Sequence, residues 1–258
     1  MDINHIMDMA VKAGKSAAEI IQSATNRPKS TDFKSLTDLV TQTDRDSDRL
    51  ICQLINDTFP DHGILAEESG IFQPESDIQW IIDPLDGTTN FVHNYPAFAV
   101  SIGVHIRHIP MVACIVELPA NLIYTAVKGR GAFCDDLPIT VSDVNKLEKS
   151  LLVTGFGYHH NALWKKNMDL FSRLTDLTQG VRRLGAAAVD LCHVACGKVD
   201  GFWEFELHPW DTAAGILLVE EAGGIVTKMD GSPYSIFDNE LLASNALLHE
   251  EMNTALNF

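Results

Sequence analysis

The chain has 258 residues, enough for one large hydrophobic core or two closely packed smaller ones. Its 35 acidic residues against 19 basic ones give a formal charge of −16, which repels polyanions and excludes nucleic acid and anionic membranes as default partners. An anionic small molecule would need a cation to hold it, and the excess of Asp and Glu is compatible with oxygen-ligand sites for Mg²⁺.

Five scattered cysteines, Cys52, Cys114, Cys134, Cys192 and Cys196, lack CxxC spacing. That argues against a disulfide framework and a zinc site, and for a reducing cytoplasm. Cys192 and Cys196, on one predicted helix, read as small apolar core residues. The start of the chain lacks a basic segment followed by an apolar one, and no run of about 18 apolar residues occurs, so no targeting segment or membrane span is expected.

In chain order, Ile6, Ala10, Ala13, Ala17, Ile20 and Ile21 recur at helical spacing, predicting an amphipathic helix over 3–24 that Asn26-Arg27-Pro28 ends. Leu39-Val40-Thr41 reads as a short strand. Asp44 is placed to cap a helix carrying Leu50, Ile51, Leu54, Ile55 and Phe59, stopped by Pro60-Asp61-His62-Gly63. Gly63-Ile64-Leu65-Ala66 and Trp80-Ile81-Ile82 read as apolar strands that each finish on carboxylates. From Phe98 to Val127 the alternation of small and β-branched residues predicts antiparallel strands. Beyond about residue 145 strands and helices alternate, with Leu151 to Thr154 a strand and Gly185 to Gly197 a helix of small residues. A further helix is predicted from Asp211 to Glu221, closed by Gly223-Gly224, and then a strand over Gly224 to Thr227. With no repeat or flexible linker, residues 1–145 and 146–258 are expected to pack as one unit.

The chemistry concentrates in Asp83-Pro84-Leu85-Asp86-Gly87-Thr88-Thr89-Asn90. Asp83, Asp86 and the Leu85 carbonyl can face one point across the turn set by Pro84, a hard-oxygen set suited to Mg²⁺. Gly87 allows close backbone approach, and the N–H groups of Gly87 and Thr88 at a helix start would hold phosphate oxygens. Alone, Asp-Gly-Thr-Thr is an ordinary turn. Glu67-Glu68 ends the preceding strand, and because strand neighbours face opposite ways, Glu67 is expected to reach the metal with Glu68 in support. Trp210-Asp211-Thr212 puts another acid at a helix start, where capping alone would explain it, as it would Asp44. Together they exceed what capping requires, since like charges gathered in one cleft are costly without cations.

Glu67-Glu68-Ser69, Asp83 to Phe91 and Trp210-Asp211-Thr212-Ala213-Ala214-Gly215 resemble, in order and spacing, the inositol monophosphatase family of Mg²⁺-dependent, lithium-sensitive phosphatases. Asp38 to Asp44 and Gly185-Ala186-Ala187-Ala188 extend the similarity over nearly the whole chain. The resemblance implies alternating helix and sheet layers (αβαβα): an N-terminal half, 1–145, built on an antiparallel sheet with most metal ligands, and a C-terminal α/β half, 146–258, with Asp211 and the substrate-reading residues. It implies that Glu67, Asp83 and the Leu85 carbonyl hold one Mg²⁺, that Asp83, Asp86 and Asp211 hold a second, and that a third, weaker ion sits near Glu67. Asp86, Gly87, Thr88 and Asp211 would bind substrate. Thr88, oriented by Asp44 and aided by Glu67, would position the water for in-line attack, without a covalent phosphoenzyme. Glu204, Ala187 and Arg182 are implied to read the leaving group, Arg182 being hard to separate from its neighbour Arg183. Lys34 reads as a solvated lysine in a loop where the family often brings a basic group near phosphate. No role is assigned to His93, His208 or His159-His160. A homodimer is implied.

The expected activity is hydrolysis of a small polyol or sugar monophosphate, first of all inositol monophosphate. On the same scaffold the alternatives are histidinol phosphate, galactose 1-phosphate or fructose 1,6-bisphosphate. A non-catalytic regulatory relative would be free to lose Asp83, Asp86, Thr88 or Asp211, and this chain keeps them all. A two-carboxylate glycosidase would leave the Gly87-Thr88-Thr89 and Asp211 blocks unexplained.

Overall fold

The computed structural model describes residues 2–25, 31–33 and 39–257. The helix stop at Asn26-Arg27-Pro28, Asp38 and Lys34 lie outside the described residues. Helix α1 (Ile3–Thr25) buries Ile6, Ala10, Ala13, Ala17 and Ile21 along one stripe. The stripe is mostly small, so the helix lies close on the sheet below it. A Cβ on Gly14 would stand 3.1 Å from Val116 Cγ2. Strands β1 (Thr31–Phe33) and β2 (Leu39–Thr41) pair antiparallel and lead into α2 (Gln42–Thr58). Thr41, not Asp44, is the N-cap of α2; Asp44 is the third helical residue, and its carboxylate closes a capping box with Thr41.

An eight-stranded sheet follows, built from β3 (Gly63–Ala66), β4 (Gly70–Phe72), β5 (Ile78–Asp86), β6 (Phe98–Ile106), β7 (Ile109–Leu118), β8 (Leu122–Val127), β9 (Ala132–Cys134) and β10 (Leu137–Ile139), with helix α3 (Thr88–Val92) between β5 and β6. Its order is β10-β9-β8-β7-β6-β5-β3-β4, and every pairing is antiparallel except β3 with β5. A five-stranded sheet then mixes β11 (Leu151–Thr154), β12 (Gly180–Arg182), β13 (Gly201–Phe205), β14 (Gly224–Thr227) and β15 (Glu240–Asn245) in the order β12-β11-β13-β15-β14. Helices α4 (Ala162–Leu177), α5 (Ala187–Ala195), α6 (Pro209–Thr212), α7 (Gly215–Glu221) and α8 (His249–Leu256) are interleaved with these strands. The helix predicted from Asp211 is therefore two short helices, the first opening earlier, on Pro209.

Strand alternation sorts the side chains into layers. Trp80, Ile82, Val100, Ile102 and Val116 pack under α1 and α2, whereas Ile81, Ala99, Ala113 and Ile115 face α5 and α7. Val153, Phe202 and Ala243 of the second sheet close that middle layer from the far side, while Leu152, Trp203 and Leu242 turn outward to α4 and α8. The result is the αβαβα stack implied by the resemblance, each large buried side chain contributing roughly 1.5–3 kcal/mol before entropy. All five cysteines are free, Cys114 and Cys192 buried. Among the described residues no helix is long and apolar enough to cross a membrane.

Two contacts fix the first sheet against the start of α7. Gly103 of β6 lies so close that a Cβ there would be 2.8 Å from the carbonyl carbon of Ala213. Two residues along, His105 Nε2 is 3.2 Å from the Ala213 oxygen, and burial pushes this imidazole down to about 4, so it is the neutral ring that donates to the carbonyl.

Candidate active site

Asp83 and Asp86 share a face because of a bulge. Asp83 pairs with Ser101 and Asp86 with Ala99, so Pro84 and Leu85 together oppose Val100 alone. In a regular strand two residues three apart would point to opposite faces; the extra residue turns both carboxylates toward the second sheet. Pro84, which has no N–H to give a ladder, suits such a position. The strand does not end at Asp83 as read from the sequence but continues through the bulge to Asp86. Ser47 of α2 donates to the Pro84 carbonyl at 2.8 Å, and the Leu85 N–H donates to Asp83 Oδ1 at 3.0 Å.

Gly87 then turns the chain at φ +82° into α3, and a Cβ there would stand 2.9 Å from the Ala97 oxygen. Thr88 Oγ1 donates to Asp44 Oδ1 at 2.8 Å and lies 3.1 Å from the Leu85 oxygen. Asn90, the last residue of the motif, is buried and donates to Ala97 O at 2.7 Å and Leu184 O at 2.8 Å, tying the motif to the loop that opens α5. From there the Ala188 N–H donates to Asp86 Oδ2 at 2.8 Å. The N-terminus of α5 is therefore directed at a carboxylate.

Glu67, Asp83, Leu85, Asp86, Gly87, Thr88, Ala187, Glu204 and Asp211 all line one cleft of ≈ 670 Å³ between the two sheets. Asp44 stands behind Thr88. Glu68 does not reach this cleft; it lines a separate cavity beside α2 with Ser69 and Arg45, and the two acids are parted by the turn after β3, not by strand alternation, since β3 ends at Ala66. Arg182 is exposed and absent from the cleft wall, which Arg183 occupies. His159 and His208 also line the cleft.

The electrostatics are those of acids crowded out of water. Burial, then the charges of Glu67, Asp86 and Asp211, hold Asp83 well above the ordinary carboxylate range. Asp86 is pushed up to about 7 by burial, against the N–H groups of α5 that favour its charged form. Asp211 is raised by burial and by Asp86, Glu67 and Glu204, although its Oδ2 accepts the His208 N–H at 2.6 Å as a helix cap. Glu204 is raised to about 8 by burial, with Arg183 opposing the shift. Asp44 is raised by burial against three hydrogen bonds. Asp190, one turn into α5 and fully buried, has no hydrogen bond to either oxygen among the described residues, and burial raises it strongly; no sequence motif singled it out.

Such a donor set fits Mg²⁺: all oxygen, multiply acidic and desolvated. Among the described residues no group of three or more Asp, Glu, His or Cys side chains is already arranged to hold a metal ion. Open carboxylates along a cleft suit a hard cation that keeps water and takes phosphate oxygens as further ligands.

The comparisons with known proteins point to one family. A family model described as the inositol monophosphatase family matches residues 2–258. The Arabidopsis thaliana protein named phosphatase IMPL1, chloroplastic, is 48% identical over 255 residues, 96% of this chain and 69% of that one. The structure of inositol monophosphatase from Anabaena (Nostoc) sp. PCC 7120 superposes with a TM-score of 0.88 at 41% identity, covering 99% of this chain and 96% of its own. The extragenic suppressor protein suhB from Bartonella henselae superposes with a TM-score of 0.94 at 34% identity, covering 98% of each.

Proposed function

The chain belongs to the inositol monophosphatase family, and from that premise we propose that it is a Mg²⁺-dependent phosphatase releasing phosphate from a small polyol or sugar monophosphate, inositol monophosphate first. The observation that carries this reading is the meeting of Glu67, Asp83, Asp86 and Asp211 in one buried cleft beside Thr88. Asp83, Asp86 and Asp211, each raised by burial and by the charge of Glu67, are stable as anions only if cations join them.

We assign Glu67, Asp83 and the Leu85 carbonyl to one Mg²⁺, Asp83, Asp86 and Asp211 to a second, and the surroundings of Glu67 to a weaker third. When bound, the ions supply positive charge to the entering and leaving oxygens and acidify the attacking water. The protein's own contribution begins with Asp44. Its carboxylate accepts the hydrogen bond of the Thr88 hydroxyl, which would leave the Thr88 lone pairs to accept a hydrogen bond from that water and so aim its oxygen. Gly87 and Thr88 present backbone N–H groups to phosphate, and α5 steadies Asp86 through Ala188. Glu204 and Ala187 face the leaving group, and on this wall Arg183 takes the place expected of Arg182.

We further infer a homodimer and lithium inhibition, both supported by the family alone. The free cysteines suit a reducing compartment, and we place the chain in the cytoplasm; the Arabidopsis relative's name assigns that protein to the chloroplast. The Bartonella neighbour is named an extragenic suppressor protein rather than an enzyme, and the second reading is that this chain is a family member with a non-catalytic regulatory binding role. Phosphate release from inositol 1-phosphate, measured with Mg²⁺ and with chelator, tests the phosphatase; the absence of Mg²⁺-dependent turnover would refute it. A panel with histidinol phosphate, galactose 1-phosphate and fructose 1,6-bisphosphate ranks the substrates.

A further inference from the structure

The end of β13 turns on Glu206, which holds φ at +61° although it is not glycine. Backbone of this kind is strained for a residue with a Cβ and tends to be kept where function needs it. The Glu206 N–H donates to Asn239 O at 2.8 Å, and its half-buried side chain lines the active-site cleft. Oε1 accepts the Asn161 amide at 2.6 Å. Oε2 lies over Gly157, where a Cβ would be 2.8 Å away, and makes no hydrogen bond among the described residues.

The segment that Glu206 holds is one wall of the cleft. Its inner end is fixed by Asn167 Nδ2, which donates to Gly155 O at 2.6 Å, and by Phe156, whose ring packs 6.1 Å from Trp164 and 6.0 Å from Phe171. Its outer end is Asn161, which also caps α4 through the Trp164 N–H at 3.0 Å. Gly157, Tyr158 and His159 span the interval and line the cleft. Glu204 lies against the same segment: a Cβ on Gly155 would fall 2.2 Å from its carboxylate oxygens, so only glycine leaves room for it.

We propose that Glu206 is a specificity-determining residue, a second carboxylate beside Glu204 that accepts hydroxyl hydrogen bonds from the leaving group. The cleft thereby favours a neutral polyhydroxylated alcohol over one carrying a second anionic group. This rests on the phosphatase reading above. A carboxylate acceptor matches an O–H donor and repels a phosphate, and a site whose polar group is left unmatched discriminates more strongly than apolar shape does. Strain at Glu206 has a function on this view, because glycine would adopt φ +61° freely but would offer no acceptor and would release Asn161.

The test compares kcat/KM for inositol 1-phosphate and fructose 1,6-bisphosphate in the Mg²⁺-loaded wild type, Glu206→Gly and Glu206→Gln. In Glu206→Gly the ratio of the two is expected to fall about tenfold, through a higher KM for the inositol ester and a lower one for the bisphosphate. Its melting temperature should equal or exceed that of the wild type, since glycine suits the backbone. Glu206→Gln, which removes the charge and keeps an oxygen for Asn161, should fall between the two. An unchanged ratio in both variants, with Mg²⁺-dependent hydrolysis retained, overturns the assignment and leaves Glu206 a structural fastening. A wild type that hydrolyses neither ester refutes the phosphatase reading itself, and this inference with it.

Discussion

Thr88 Oγ1 donates to Asp44 Oδ1 at 2.8 Å, joining the first turn of α2 to the start of α3. Because Asp44 also receives the Thr41 N–H at 2.9 Å, its carboxylate is fixed before substrate arrives. Thr88→Ala and Asp44→Asn should each lower kcat by about a hundredfold while changing KM and Mg²⁺ affinity little, and Thr88→Ser should retain most activity. Steady-state kinetics across a Mg²⁺ titration check this. A change of less than about threefold in both would remove the pair from the chemistry.

Asp83 and Asp211 are held well above their ordinary pKa by burial and by each other's neighbours. Asp83→Asn and Asp211→Asn should abolish Mg²⁺-dependent turnover, yet in chelator each variant should melt about 2–4 °C above the wild type, because a repelling charge has been removed. Added Mg²⁺ should raise the melting temperature of the wild type and not of the variants. Thermal melts with and without Mg²⁺ read both effects.

The pH dependence of the metal-free protein follows from Asp86, at about 7 against an ordinary 3.8, and Glu204, at about 8 against 4.5. A carboxyl whose folded pKa lies above its unfolded one stabilises the fold fully below the unfolded value and loses that contribution as pH rises through the folded one. In chelator, stability should therefore decline from about pH 4 to about pH 8, by about 5 °C in melting temperature. Saturating Mg²⁺, which binds the charged carboxylates, should oppose the decline in its upper part. A flat metal-free profile would show that these acids are better solvated than their burial implies.

Gly103 approaches the Ala213 backbone more closely than any Cβ allows. Gly103→Ala should push the Pro209–Ala213 turn away from the sheet and displace Asp211, raising the Mg²⁺ concentration for half-maximal activity by about tenfold in a protein that still folds. Calorimetric Mg²⁺ titration separates this from a general loss of stability.

Much of the site could be read from the sequence because its acids sit at the ends of strands and helices, where local pattern marks them. Glu67, in the turn that follows β3, is an example: it lines the cleft, while Glu68 beside it lines a separate cavity. The bulge at Pro84-Leu85 was not legible, since spacing cannot say whether Val100 faces one residue or two. Arg183 rather than Arg182 lines the cleft because Arg182 closes β12 and faces solvent while Arg183 falls in the loop beyond, a boundary that composition does not set. His105, Gly103 and Glu206 carry no motif. Their roles come from Ala213, Asn161 and Gly157, which lie far away along the chain, and only tertiary contact brings those partners in.

Asp44, Glu67, Asp83, Asp86 and Asp211 come from α2, the turn after β3, the bulge of β5 and α6, elements far apart along the chain. A chain still emerging from the ribosome holds Asp83 and Asp86 long before Asp211 is synthesised. On the proposed assignment of Asp211 to a cation, a truncated or half-translated polypeptide would be inert toward phosphate esters, and turnover in a cell extract would count finished molecules, not polypeptide.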